Sequence, residues 1–314
     1  MSKYHSKKGV PTKKPESTND NSAKRVARKT IAANKMSIFN SLETHLKNHQ
    51  KTYIIAITFI AFVFSFLSFD NKISTANDDA LYIEAGANYA KNFFGYYYTE
   101  TAPFYPIILS FLIKILGVKL FLLKASSILF FCVALYFIYK AFKDRIPYII
   151  LFPALLLTAI NAQFLVYASL TYTETFSLMM FALALLFFFK VFDKLDQAEY
   201  SLQSNFIHFI LLGFLCFILM ITRNVALAAL GILVVFLIYR KKYIESIISA
   251  GSFVVIYFIY NLALKHIWHL SASQFTSQGS KMFNKDAYQP QLGKETTSGL
   301  VIRFWENCQI YISS

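Results

Sequence analysis

Seven long apolar runs constrain this chain more than any other feature: residues 53–69, 120–139, 147–167, 175–191, 206–222, 225–239 and 243–264. A bilayer core takes about 20 apolar residues per helix, with a usual range of about 17 to 25. The runs therefore read as membrane spans. Composition agrees: of 314 residues, 56% are hydrophobic and only 15% charged, with 33 Phe and 20 Tyr. That is too apolar for a soluble domain of this length. The expected fold is an all-α integral membrane protein with about seven transmembrane helices.

An eighth apolar run, 104–116, is too short to span and has the length of a re-entrant or interfacial helix. The positive-inside rule decides how to place it. If it does not cross, the basic N-terminal tail, the Lys140, Lys143, Arg145 cluster, the Lys190 and Lys194 pair and the Arg240, Lys241, Lys242 cluster all fall on the cytoplasmic side. If it crosses, the tail opposes all three later clusters. The expected topology is thus seven spans, with 104–116 dipping into the outer leaflet and returning. The loop after the first span then lies on the outer face with its juxtamembrane and re-entrant helices.

The formal charge of +14 could suggest nucleic acid, but its distribution points elsewhere. Twelve Lys and Arg lie within the first 51 residues and face only Glu16, Asp20 and Glu43. That tail, 1–51, is polar and reads as a disordered cytoplasmic extension, with a weakly amphipathic stretch at 36–46. About fifty residues precede the first apolar core, so the tail is not a secretory signal. No nucleic-acid fold accompanies the charge. Cys132, Cys216 and Cys308 are far apart and give neither metal-ligand spacing nor a disulfide framework.

In this topology the outer face collects Asp78, Asp79, Glu84, Glu100, Glu174 and Arg223, while the centres of the spans carry no charge. Pumps, secondary transporters and voltage sensors usually place ionisable groups at midplane depth. Carboxylates and a cation gathered at one surface suit an enzyme acting on a lipid-borne substrate at the boundary, a carboxylate serving as general base and an Arg holding phosphate.

These residues also carry a resemblance. Asp78-Asp79-Ala-Leu-Tyr82-Ile-Glu-Ala after the first span, then Gly95 with its aromatics and Ala-Pro-Phe-Tyr-Pro-Ile-Ile-Leu-Ser from Ala102 resemble the first outer loop of the GT-C membrane glycosyltransferases. The likeness is to the protein O-mannosyltransferase and aminoarabinose transferase branch. Leu170, Tyr172, Thr173 and Glu174 follow, and Leu-Met-Ile-Thr-Arg223-Asn is similar to the family's Leu-x-x-Thr-Arg-Pro segment. The resemblance covers about residues 53–264.

It implies a sugar transferase using a polyprenyl-phosphate donor and a lipid, glycan or protein acceptor at the outer face of a cell membrane, expected to be a bacterial cytoplasmic membrane. The family's catalytic carboxylate falls on the Asp78, Asp79 pair, with Asp78 in the first acidic place. Asp79 can equally cap the helix that begins near Ala80. Glu174 matches an acidic residue that shapes the acceptor or metal site, or else a dipole-favoured helix start. Arg223 matches a donor-phosphate contact, or else a snorkelling span end. Tyr82, one turn beyond Asp78, packs beneath the loop. No nucleotide cofactor is needed, and a divalent cation is compatible with these residues but not required by them.

Two departures stand out. Thr101, Ala102, Pro103 replace the Lys-Pro-Pro run of the aminoarabinose transferases. The segment 265–314 is polar to amphipathic, with 300–312 expected as a surface helix, leaving open whether the chain is a minimal seven-helix module or part of a longer one. His266 and His269 lack a carboxylate partner for a metal, and Trp268 beside them reads as an interfacial anchor. A carrier or flippase for lipid-linked sugars is the alternative reading, needing the same cavity but no base; a scaffold acting through its basic tail is a third.

Overall fold

The computed structural model describes residues 38–69, 72, 78–197, 199–270, 283–286 and 289–313. The chain divides into two compact units, Met1–Gln50 and Lys51–Ser314. In the first, residues 38–48 form helix α1, over much of the stretch expected to be amphipathic. The disordered tail expected before it falls on residues outside the described ones.

The described part of the second unit is helical. Its elements are α2 (Gln50–Leu67, beginning at the unit boundary), α3 (Asp78–Lys91), α4 (Phe104–Leu116), α5 (Leu120–Phe142), α6 (Tyr148–Ala159), α7 (Ala162–Ala168), α8 (Thr173–Leu195), α9 (Leu202–Thr222), a 3-10 turn Asn224–Leu227 leading into α10 (Ala228–Tyr239), α11 (Tyr243–His266), a 3-10 turn Pro290–Leu292 and α12 (Thr297–Ser313). Asn284 and Lys294 form an isolated antiparallel bridge.

Among the described residues five helices, α2, α5, α8, α9 and α11, are long and apolar enough to cross a membrane. The other two expected spans differ, each for a local reason. The run 147–167 becomes the pair α6 and α7, bent by 56°. Asn161 causes the break: its side chain accepts from Gln163 N at 3.0 Å and Phe164 N at 3.3 Å, capping a new helix. Counted as one broken span, the pair brings the total to six. The run 225–239 becomes a 3-10 turn and a short helix, which together extend about 26 Å, less than the ~30 Å hydrocarbon core.

Polar contacts define two ends of the bundle. At one end Arg223, after α9, pairs with Glu174 at the start of α8, and Lys124 near the start of α5 meets Asp79 of α3. At the far end Arg145 pairs with Asp193, Arg240 with Asp196, and Lys194 Nζ lies 2.9 Å from His208 Nε2. The segment holding α10 runs from Arg223 to Arg240, linking the same two ends as its neighbours.

Close packing depends on small residues. A Cβ at Gly213 of α9 would run into the Ser249 carbonyl of α11 and come within 2.9 Å of Ser252 Cβ, so glycine is what lets these helices touch. At the first end α3 and α4 form a hairpin in which a Cβ on Gly86 would lie 3.0 Å from Leu109 Cβ. Tyr98 N donates to Tyr89 Oη at 3.0 Å across the connecting turn. Trp268 Nε1, just beyond α11, donates to the Phe93 carbonyl at 3.1 Å, and the Tyr97 hydroxyl bonds that of Tyr260. The end of α11 is thereby tied to the loop.

Outward faces carry bare apolar side chains, among them Phe59 and Phe62 on α2 and Val254 and Phe258 on α11, as spans facing lipid would. Cys132 and Cys216 are buried core residues. Helix α12 covers the expected surface helix and exposes Val301, Phe304 and Trp305.

Candidate functional site

Asp78 and Asp79 open α3. Neighbouring residues on a helix point about 100° apart, so one can face out while the other faces in. Asp78 is exposed and Asp79 fully buried. The Asp79 carboxylate accepts from Thr171 N at 2.6 Å and lies 3.4 Å from Lys124 Nζ. Lys124, also fully buried, donates to the Lys72 carbonyl. A cation near a helix N-terminus opposes the helix dipole, and a lone buried charge costs several kcal/mol. Each partner here offsets the other's cost, and the pair pins α3 to α5 and to the approach of α8.

Tyr82 lies one helical turn beyond Asp78 and therefore on the same face. Its ring packs edge-on against Tyr105 at 5.4 Å and beside Tyr98 at 6.0 Å. Burial pushes the phenol above its ordinary pKa; the Thr101 and Thr173 hydroxyls beside it pull the other way, and the carboxylates of Glu174 and Asp78 reinforce the rise. Tyr82 is thus within electrostatic reach of both carboxylates. Tyr105, fully buried beneath it, is within the same reach of Asp79, Tyr82 and Glu174.

Glu174 sits in the first turn of α8, where the dipole favours a carboxylate. Its Oε1 accepts from Arg223 Nη1 at 3.1 Å. Arg223 remains 45% exposed. A guanidinium has five N–H donors, so one nitrogen anchored on Glu174 leaves others able to meet an anion. The structure therefore brings all five residues singled out in the sequence to one end of the bundle. The two aspartates are separated by burial, and Glu174 and Arg223 pair with each other.

Lys124, Tyr105 and Thr171 were not singled out from sequence. The signal for Lys124 was available, a lone lysine just inside an apolar run, where a charge needs a partner. The Thr171 and Thr175 hydroxyls are buried with no hydrogen-bond partner among the described residues, leaving polar capacity in the wall beside the pair. An apolar groove of about 580 Å³ between α2 and α5 runs from Ile54 past Phe59 and Phe62 to Ala125, next to Lys124 in sequence. Among the described residues no three His, Cys, Asp or Glu side chains gather into a metal-holding group.

These features define a class: among the described residues the chain is helical, with five to six apolar helices of membrane-crossing length, in keeping with a multi-pass membrane protein, and a polar cluster at one end. No family model, curated protein or solved structure matches the chain.

Proposed function

We propose that the chain is a membrane glycosyltransferase that moves a sugar from a polyprenyl-phosphate donor to an acceptor at the outer face. In this reading the protein has seven crossings, the segment holding α10 being the seventh, with the N-terminus in the cytoplasm and the α3–α4 hairpin outside. The observation that carries it is the gathering of Asp78, Tyr82, Glu174 and Arg223 at one end. The apolar groove reaching that end supports a lipid-borne donor.

The roles follow from exposure. Asp78 can meet an acceptor hydroxyl and act as its base. Arg223, held by Glu174, presents its remaining donors to the donor phosphate. The acceptor oxygen bonds to the anomeric carbon as the bond from that carbon to the phosphate oxygen breaks. The proton passes to Asp78 and the lipid phosphate leaves, with inversion. Asp79 is a positioning residue: buried against Lys124, it fixes the start of α3 and so the place of Asp78.

The test is a reconstituted assay with labelled polyprenyl-phosphate sugars, following release of lipid phosphate. Wild type should release it, and Asp78→Asn should lose at least about a hundredfold in turnover while inserting and unfolding like wild type. Full turnover in Asp78→Asn removes the mechanism. Binding of the donor without release, by a folded chain supplied with acceptors, favours a carrier.

A further inference from the structure

The far end of the bundle holds a second cleft, unrelated to the cluster around Asp78. It lies between the C-terminal parts of α5 and α8, has a volume of about 330 Å³, and is lined by Lys140, Lys143, Arg145 and Lys190 together with Asp144, Asp193 and aromatic side chains. Its floor is built. Arg145 Nη2 donates to both Asp193 oxygens, at 2.5 and 2.6 Å, and to the Phe189 carbonyl at 3.2 Å. The guanidinium lies 4.1 Å from the Phe189 ring centroid.

Asp193 is thus engaged by Arg145, and Asp144 lies 3.7 Å from Lys143. Lys140 and Lys190 have no ion pair among the described residues, although they reach the same cleft from different helices. Lys140 lies 5.7 Å from the Tyr136 ring centroid and belongs to the last turn of α5, where the dipole favours a cation. The dipole does not account for Lys190, five residues before the end of α8. Two cations lining one cleft without a carboxylate of their own make it favourable to an anion.

We infer that this cleft holds the phosphate headgroup of an anionic phospholipid, with Lys140 and Lys190 as its phosphate contacts. Basic pockets between spans at a membrane surface are suited to such headgroups. Tyr136 and Phe137 also line the cleft, and the glycerol and first methylenes would rest against them. The inference needs only that α5 and α8 cross a membrane and does not rest on the transferase reading.

The experiment uses the full chain in detergent, titrated separately with phosphatidylglycerol, phosphatidylcholine and inorganic phosphate. Native mass spectrometry reads bound lipid, and the thermal unfolding midpoint reads its effect. Phosphatidylglycerol should bind and raise the midpoint, while phosphatidylcholine and inorganic phosphate should not. Lys140→Gln/Lys190→Gln should weaken phosphatidylglycerol binding about tenfold or more, and the Lys140→Arg/Lys190→Arg variant should keep most of it. Lys51→Gln/Lys241→Gln, which removes the same charge outside the cleft, should change binding less than about twofold. Should Lys140→Gln/Lys190→Gln fail to fold, Lys190→Gln alone, at an exposed position, carries the test with a drop of about threefold or more. Equal loss in the cleft and control variants, or equal binding of both lipids, overturns the inference. A response to inorganic phosphate as strong as to phosphatidylglycerol would assign the cleft to a soluble phosphate and overturn it too.

Discussion

Asp79–Lys124 at one end of the bundle and Arg145–Asp193 at the other are both acid–base pairs joining separate helices, but their surroundings differ. The first is buried, with side chains 0% and 1% exposed; in the second Arg145 is 31% and Asp193 59% exposed. Water and salt weaken the second pair, and exposed pairs contribute about 0–1 kcal/mol. The first can neither be screened nor hydrate a partner left alone. The same chemistry therefore locks the site end in place and only trims the far end.

The largest expected effect comes from breaking the buried pair. Lys124→Met leaves Asp79 charged and buried, and should cost about 3–5 kcal/mol. Asp79→Asn/Lys124→Met should recover most of that loss, because the remaining side chains carry no charge, and denaturant unfolding of the three proteins measures the difference. A single variant as stable as wild type would show that the pair holds nothing.

Next comes Gly213→Val, at a steric contact between the two ends. It should separate α9 from α11 at a cost of about 1–3 kcal/mol, with no dependence on salt. Trp268→Phe removes the N–H donated to the Phe93 carbonyl, and should cost about 1 kcal/mol with faster hydrogen exchange in residues 92–98. The smallest effect belongs to the exposed pair: a double-mutant cycle on Arg145→Ala and Asp193→Ala should give a coupling below about 1 kcal/mol that fades at high salt. The Asp79–Lys124 coupling should survive the same salt.

The sequence made some of this legible for plain reasons. The short run 104–116 is bounded by Pro103 and Gly117, and α4 spans Phe104–Leu116 between them. Counting spans puts Glu174 and Arg223 on the same side, and the two side chains pair with each other. Lys124 is hard to recognise because a lysine near a span end ordinarily snorkels, whereas this one turns inward to a carboxylate 45 residues earlier. Only the folded hairpin supplies that partner. The neighbouring aspartates were likewise alike in sequence, and their helical phase separates them. The break in the run 147–167 turns on Asn161 acting as a cap, a local signal hidden within strong hydropathy.

One measurement tests the central claim, that the exposed Asp78 is the reacting carboxylate and the buried Asp79–Lys124 pair takes no part in the chemistry. Lipid-phosphate release would be compared in wild type, Asp78→Asn and Asp79→Asn/Lys124→Met, each normalised to its folded fraction. The account predicts that release disappears in Asp78→Asn and stays within about tenfold of wild type in the double variant. Release retained by Asp78→Asn and lost from a folded double variant would contradict it, and would move the chemistry to the buried pair.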